Sequence, residues 1–323
     1  MHAAAINLRG GGVSPRGTLL RGQSIIEYVL IVAVIGLVIV FAGPGVAGAI
    51  RNQFNLVGNT VNNGTTGSVD GGTSGGGSAG SDSATVQTAI AKDAKDWTLG
   101  EQKAVAEDIA AKGEASPAYA KAKAAMDAGT KFSMKLTDGQ TLTYRIVGIN
   151  HDDLADGSGK AGLTFESTNN AMGEQRMNAT ETSAGGWEKS ELRSRLNTGD
   201  LWSLLPGELQ SKVKSVTKMT DNNKGDGSTI TLSATTEKVF LLSSTEVWGD
   251  INHDGTQYEY YKSKGVTVSK FDSNFSGASS VFGHWTRSVL EYNPGYFRFV
   301  SPYGDCRTVN AKDTVNVSIA FCF

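Results

Sequence analysis

Apolar and polar residues divide this chain into unlike stretches. From Val29 to Ile50 no charged side chain interrupts a run of Val, Ile, Leu, Ala and Gly. As a helix rising about 1.5 Å per residue, it is long enough to cross a bilayer. Residues 51–61 (RNQFNLVGNTV) read as a polar extension of that helix. Residues 62–83, NNGTTGSVDGGTSGGGSAGSDS, have almost no apolar side chain to bury and read as a flexible Gly/Ser/Thr linker. Beyond them helical and alternating patterns return. All five tryptophans (Trp97, Trp187, Trp202, Trp248, Trp285) lie in this last stretch, so a real core is expected there.

Two helices are predicted to open that core-forming stretch. Thr98-Leu99-Gly100-Glu101 matches a capping box, Val105 and Ile109 share a face, and Gly113 ends the element. Ser116-Pro117 then predicts a helix start, with Tyr119, Ala122 and Met126 inward before Gly129. Strands are predicted at 141–147, 163–165, 230–232, 239–242, 297–300 and 315–323. Residues 187–196 (WEKSELRSRL) read as one amphipathic helix with Trp187, Leu192 and Leu196 inward. Segregated helices and strands without βαβ alternation place the domain in the α+β class.

The apolar run has an unusual entrance. Arg21-Gly22 precedes it directly, and Glu27-Tyr28 stands near its start. An unpaired carboxylate inside a membrane costs about 2.5 kcal/mol or more, so Glu27 needs a dedicated partner. This arrangement resembles the processing site of type IV prepilins, and Glu27-Tyr28 resembles the tight-adherence (Tad, or Flp) branch. The resemblance implies cleavage by a prepilin peptidase between Gly22 and Gln23. Glu27 would then pair with the new ammonium of Gln23, on a neighbouring subunit, while the apolar surface packs against other pilin subunits. Arg9, Arg16 and Arg21, with no acid among residues 1–22, would hold the leader in the cytoplasm. The expected organisation is a leader at 1–22, a membrane-inserting pilin-like helix at 23–61, a linker at 62–83, a helical lead-in at 84–128 and an exported α+β domain at 129–323. Plainer readings compete. A simple anchor accounts for the length but not for Glu27, and a secretory signal ending at Ala47-Gly48-Ala49 would have a shorter apolar core.

Tad pilins are commonly little more than this helix, and here a large domain follows. RIVGINHDDLADGSGKAGLTF, GGWEKSELRSRLN, GTQYEYY, the W-T-R-S block and the closing AFCF occur in order. Together they make residues from about 97 to 323 resemble an uncharacterised domain family of Gram-positive surface proteins. The W-T-R-S block and last strand are also similar to the C-type-lectin-like fold of formylglycine-generating enzymes, which implies a fold and no activity.

Candidate chemistry is sparse. His151, Asp152, Asp153 and Asp156 form an oxygen-rich loop that could hold Ca2+; the alternative is a polar loop whose aspartates cap turns. Asp250, Asn252 and Asp254 have the D-x-N-x-D-G spacing that begins a calcium loop, but Tyr261 stands where the closing glutamate belongs, and a solvated turn is the alternative. Cys306 and Cys322 lie in neighbouring strand candidates, and in an exported chain they read as one disulfide or two inert thiols; the resemblance to formylglycine-generating enzymes implies a catalytic pair as the alternative, which nothing near Cys306 supports. Tyr258, Glu259, Tyr260 and Tyr261 suit a recognition surface for an unidentified glycan or protein ligand. Trp285 is expected in the core and Arg287 beside it as a buried arginine paired with an acid.

No G-x-S-x-G elbow, H-E-x-x-H helix or Walker loop occurs, and the reading is against an enzyme. Removing the three leader arginines from the 30 basic residues leaves 27 against 32 acidic ones, which disfavours nucleic acid as a partner. The sequence therefore predicts a pilin-like surface protein with an adhesive or recognition domain, as a minor or tip subunit. Its competitors are a membrane-tethered binding protein that never polymerises and an exported enzyme with a lectin-like fold.

Overall fold

The computed structural model describes residues 83–222, 231–249, 251–267 and 283–323. Gly22, Gln23, Glu27, Tyr28 and the apolar run 29–50 lie outside them. Among the described residues no helix is long and apolar enough to cross a membrane.

Three helices, Ala84–Ala91, Leu99–Lys112 and Tyr119–Ala128, form the lead-in. The middle one starts at the predicted capping box: Thr98 Oγ1 accepts from the Glu101 amide and the Glu101 carboxylate accepts from the Thr98 amide. It stops at Gly113, whose φ of 58° suits a residue without a Cβ. The other two depart from the sequence reading. The helix at Ala84–Ala91 was not among the two predicted, and Trp97 is tied to it through Nε1 and the Ala89 carbonyl at 2.7 Å. Ser116-Pro117 does not start the third helix, which begins at Tyr119, because Ser116 Oγ donates to Asp108 at 2.5 Å and accepts from the Ala118 amide.

The helices pack on a five-stranded antiparallel sheet. Its strands are β1 (Phe132–Lys135), β2 (Thr141–Ile149), β3 (Leu163–Ser167), β7 (Val239–Phe240) and β12 (Ala320–Cys322), in the order β1-β2-β3-β12-β7. Phe132, Tyr144, Phe165, Phe321 and Phe323 meet at ring-centroid distances of 5.4–5.7 Å and centre the core. A second five-stranded sheet contains β4 (Glu174–Arg176), β8 (His284–Val289), β9 (Tyr296–Val300), β10 (Cys306–Asn310) and β11 (Thr314–Asn316), ordered β10-β9-β8-β11-β4. A hairpin of β5 (Val216–Asn222) and β6 (Thr231–Glu237) stands apart as a two-stranded ribbon. The bridge Leu154↔Val216 ties the ribbon's base to the loop after β2, and Lys214↔Cys322 ties the segment before it to the first sheet.

Two predicted elements divide. The stretch 187–196 is two short helices, Gly186–Lys189 and Glu191–Asn197, because Ser190 leaves the first and caps the second by accepting from the Arg193 amide. The predicted strand 315–323 is β11 and β12, one in each sheet. The chain crosses between them at 317–319, held by the Val317 amide on the Gly173 carbonyl and the Ser167 amide on the Ile319 carbonyl. The alternation Val315-Asn316-Val317-Ser318-Ile319 runs through the crossover without a break, so the pattern gives no signal there.

This division also separates the cysteines. Cys306 is in β10 of the second sheet and Cys322 in β12 of the first, and both are free thiols. The disulfide reading is thus corrected: β10 and β12 are not neighbours but belong to different sheets.

Candidate functional site

An open cavity of about 330 Å³ lies where the loop after β2, strand β5 and the segment before the helix Glu259–Ser263 meet. Asn150, His151, Asp153, Lys160, Thr217, Thr256 and Glu259 contribute to its walls, and Asp152, Lys218 and Glu246 to its floor. The walls are polar and carry both signs of charge.

The floor assembles from distant sequence. Asp152 follows β2, Lys218 sits on β5 at an inward position between Val216 and Thr220, and Glu246 lies in the helix Ser244–Trp248. Each is at most 4% exposed. The Lys218 ammonium bonds Asp152 Oδ1 at 2.6 Å and the Glu246 carboxylate, and reaches the Tyr258 hydroxyl at 3.0 Å. Phe240 and Tyr258 cover it, with ring centroids 4.5 and 5.2 Å from Nζ. Asp152 also accepts from Thr164 at 2.5 Å and from Tyr258 at 2.8 Å on Oδ2.

Behind Glu246, Arg287 on β8 closes the network with Nη1 to Oε2 at 2.5 Å and Nη2 to Oε1 at 2.9 Å. Nη1 also donates to the Leu241 carbonyl, and Nη2 to those of Met219 and Asp254. Arg287 is therefore the buried, acid-paired arginine that the W-T-R-S block suggested. Glu246 does a second task as the third residue of a capping box with Ser243, which fixes its helix and its own direction.

Charge balance sets the ionisation. Burial by itself would raise the Asp152 carboxyl, but Lys218, His151 and the Thr164 hydroxyl hold it well below the usual carboxylate range. Burial acts likewise on Glu246, and Arg287 and Lys218 overcome it to lower its pKa. Lys218 is raised despite burial, through Asp152 and Glu246. Burial, then the charges of Asp152 and Glu246, push the Tyr258 phenol well above its ordinary value, so it stays a donor.

Above this floor His151 stacks on Tyr258 at 4.0 Å between centroids. Nδ1 faces a Glu259 oxygen at 3.1 Å and Nε2 the Thr256 carbonyl at 3.2 Å. Two acceptors on one ring suit the imidazolium. Burial lowers its pKa, and Glu259 and Asp152 together raise it past that loss. Two glycines permit the close packing. A Cβ on Gly148 would lie 2.7 Å from the Tyr258 ring, and one on Gly255, at φ 144°, would lie 2.8 Å from Glu246 Cγ.

The carboxylates considered for calcium are not brought onto one point. Asp152 is engaged as above, Asp153 pairs with Lys160 at 3.0 Å, and Asp156 Oδ1 accepts from the Ser158 amide at 2.9 Å. In the second loop Asp250 lies outside the described residues. Asn252 and Asp254 turn inward rather than toward solvent: Asn252 Nδ2 donates to Asp221 at 2.6 Å, and Ser288 donates to Asp254 at 2.5 Å. Burial and then the neighbouring Asp254 push the Asp221 carboxyl well above the carboxylate range. Among the described residues no group of three or more His, Cys, Asp or Glu side chains could hold a metal ion.

The tyrosines are corrected too. Tyr258, Tyr260 and Tyr261 are buried, because Asp152, Arg145 and Glu166 need their hydroxyls inside. Only Glu259 of that run faces the cavity's solvent side.

Sequence reasoning missed Lys218 and Glu246. A lysine between inward-facing Val216 and Thr220, and the capping-box spacing of Ser243 to Glu246, were the available signals.

Fold and cleft together define a mixed α+β globular domain with a buried charge network beneath a polar cavity. The signature of DUF6273, a domain of unknown function, matches residues 158–322, and the chain belongs to that family. No pilin family matches. No curated protein and no solved structure matches the chain.

Proposed function

We propose that this is a Tad-type, pilin-like surface protein in which the N-terminal helix is the mount and the α+β domain the working part. The prepilin peptidase cuts after Gly22. The ammonium of Gln23 pairs with Glu27 of an adjoining subunit, Tyr28 packs beside it, and the membrane holds the precursor until assembly. The observation that carries this reading is the order of features in one chain: Arg21-Gly22, Glu27-Tyr28, an uncharged run to Ile50, a Gly/Ser stretch, then a folded domain. A domain of this size would crowd a densely packed filament, which supports placement as a minor or tip subunit.

The domain's role in this reading is recognition, not catalysis. The cleft walls alternate Asp153, Lys160, His151 and Glu259 around Asn150 and Thr217. Such a mixture suits a hydroxyl-rich glycan or a polar protein loop, bound through several hydrogen bonds of either sense.

Shearing cells and probing the filament fraction for the domain tests the assembly. Wild-type protein is expected there, and Glu27→Leu protein is expected to stay in the membrane. Domain found in membranes alone, with filaments intact and lacking it, would establish a tether that does not polymerise.

A further inference from the structure

Lys218, Asp152 and Glu246 come together as three reacting groups, and we propose that the floor of the cleft matures into an amide bond between Lys218 Nζ and the Asp152 side chain. The placement supplies what such a condensation needs. Nζ lies 2.6 Å from Asp152 Oδ1 and also contacts the Glu246 carboxylate, so the nucleophile touches both its carbon partner's carboxylate and a second carboxylate that can accept a proton. All are buried, and the Phe240 and Tyr258 rings shield the ammonium. Thr164 and Tyr258 both donate to Asp152 Oδ2 and can stabilise the charge that grows on that oxygen during attack.

The step balances without a co-reactant. Glu246 takes one proton from the Lys218 ammonium, leaving a free amine, and passes it to Asp152 Oδ1. The nitrogen lone pair attacks Cγ. A second N–H proton travels through Glu246 to the same oxygen, the Cγ–Oδ1 bond breaks, and water leaves through the adjoining cavity. Glu246 ends as the carboxylate that Arg287 binds. One ammonium and one carboxylate become a neutral amide and one water.

Two physical arguments favour this outcome over a permanent ion pair. Holding the groups in contact raises their effective concentration to about 10⁵ M or more. An amide also removes two desolvated charges from the interior, where each is costly to hold. The bond would join β5 covalently to the loop after β2, where one β-bridge, Leu154↔Val216, already links the two.

Peptide mapping of the purified full-length protein, after complete proteolysis under denaturing and reducing conditions, tests it. A branched peptide joining the Asp152 and Lys218 segments is expected, lighter than the two separate peptides by one water, with no tryptic cleavage at Lys218. Asp152→Ala should abolish it, as should Lys218→Met. Glu246→Gln should leave the two segments unjoined while the residues that form the bond remain. Separate, unmodified peptides with full cleavage at Lys218 in the wild-type protein would overturn the bond. Normal branching in Glu246→Gln would overturn the relay assigned to Glu246.

Discussion

Arg145 and Lys218 are both buried cations, yet they sit in contrasting surroundings. Arg145 pairs across strands with Glu166 at 3.1 Å, lies 4.2 Å from the centroid of the Tyr260 ring, and shares Glu166 with the Tyr261 hydroxyl. One carboxylate, one guanidinium and two phenols make a closed brace between β2, β3 and the helix Glu259–Ser263. Lys218 instead shares two carboxylates, one of which is shared again with Arg287, and the assembly fronts a cavity. A brace that only stabilises has no need of a polar opening. Among these two centres, the one with the opening is where ligand or chemistry belongs.

The largest test of that contrast is Glu246→Ala against Glu166→Ala. Removing Glu246 strips the shared carboxylate from Lys218 and Arg287 and should cost about 3–5 kcal/mol, or the fold itself. Removing Glu166 leaves Arg145 on the Tyr260 face and beside Tyr261, so a smaller loss is expected. Denaturant midpoints decide, and equal losses would break the comparison.

Next comes Gly255→Ala, which places a methyl against Glu246 Cγ in a left-handed backbone and should cost about 1–3 kcal/mol in thermal unfolding. Gly157→Ala, also at positive φ but in open space, isolates the backbone contribution.

Titration is a finer probe. In protein whose Lys218 and Asp152 are still unjoined, Asp152 and Glu246 have native pKa values below their ordinary 3.8 and 4.5. Their contribution is present above those values and is lost as pH falls through the depressed native ones. His151 has the opposite sign: its raised pKa contributes stability below 6.5 that disappears as pH rises through the native value. Stability against pH should therefore fall on both flanks, and Lys218→Met should flatten the acid flank. An unchanged acid flank would separate Asp152 from the network. The smallest effect belongs to the rim, where Asp153→Ala removes an exposed pair with Lys160 and should change stability by no more than about 0.5 kcal/mol.

Local signals in the sequence were readable and non-local ones were not. The capping box at Thr98 and Glu101 is complete within four residues, so its helix start was legible. Strand β2 declared itself through alternation at 141–147, and Arg287 through its place beside buried Trp285. The site required convergence of residues 152, 218 and 246, and no periodicity reports that. Composition misled at Tyr258, Tyr260 and Tyr261, where amphipathic side chains suit either a surface or a buried hydroxyl network. At 315–323 an unbroken strand-like pattern concealed a change of sheet.

The surface-protein reading stands or falls at the other end of the chain. Sequencing the amino terminus of protein recovered from cell envelopes and sheared filaments tests it most directly. A mature chain beginning at Gln23 is the predicted result, and a chain retaining residues 1–22 would contradict it.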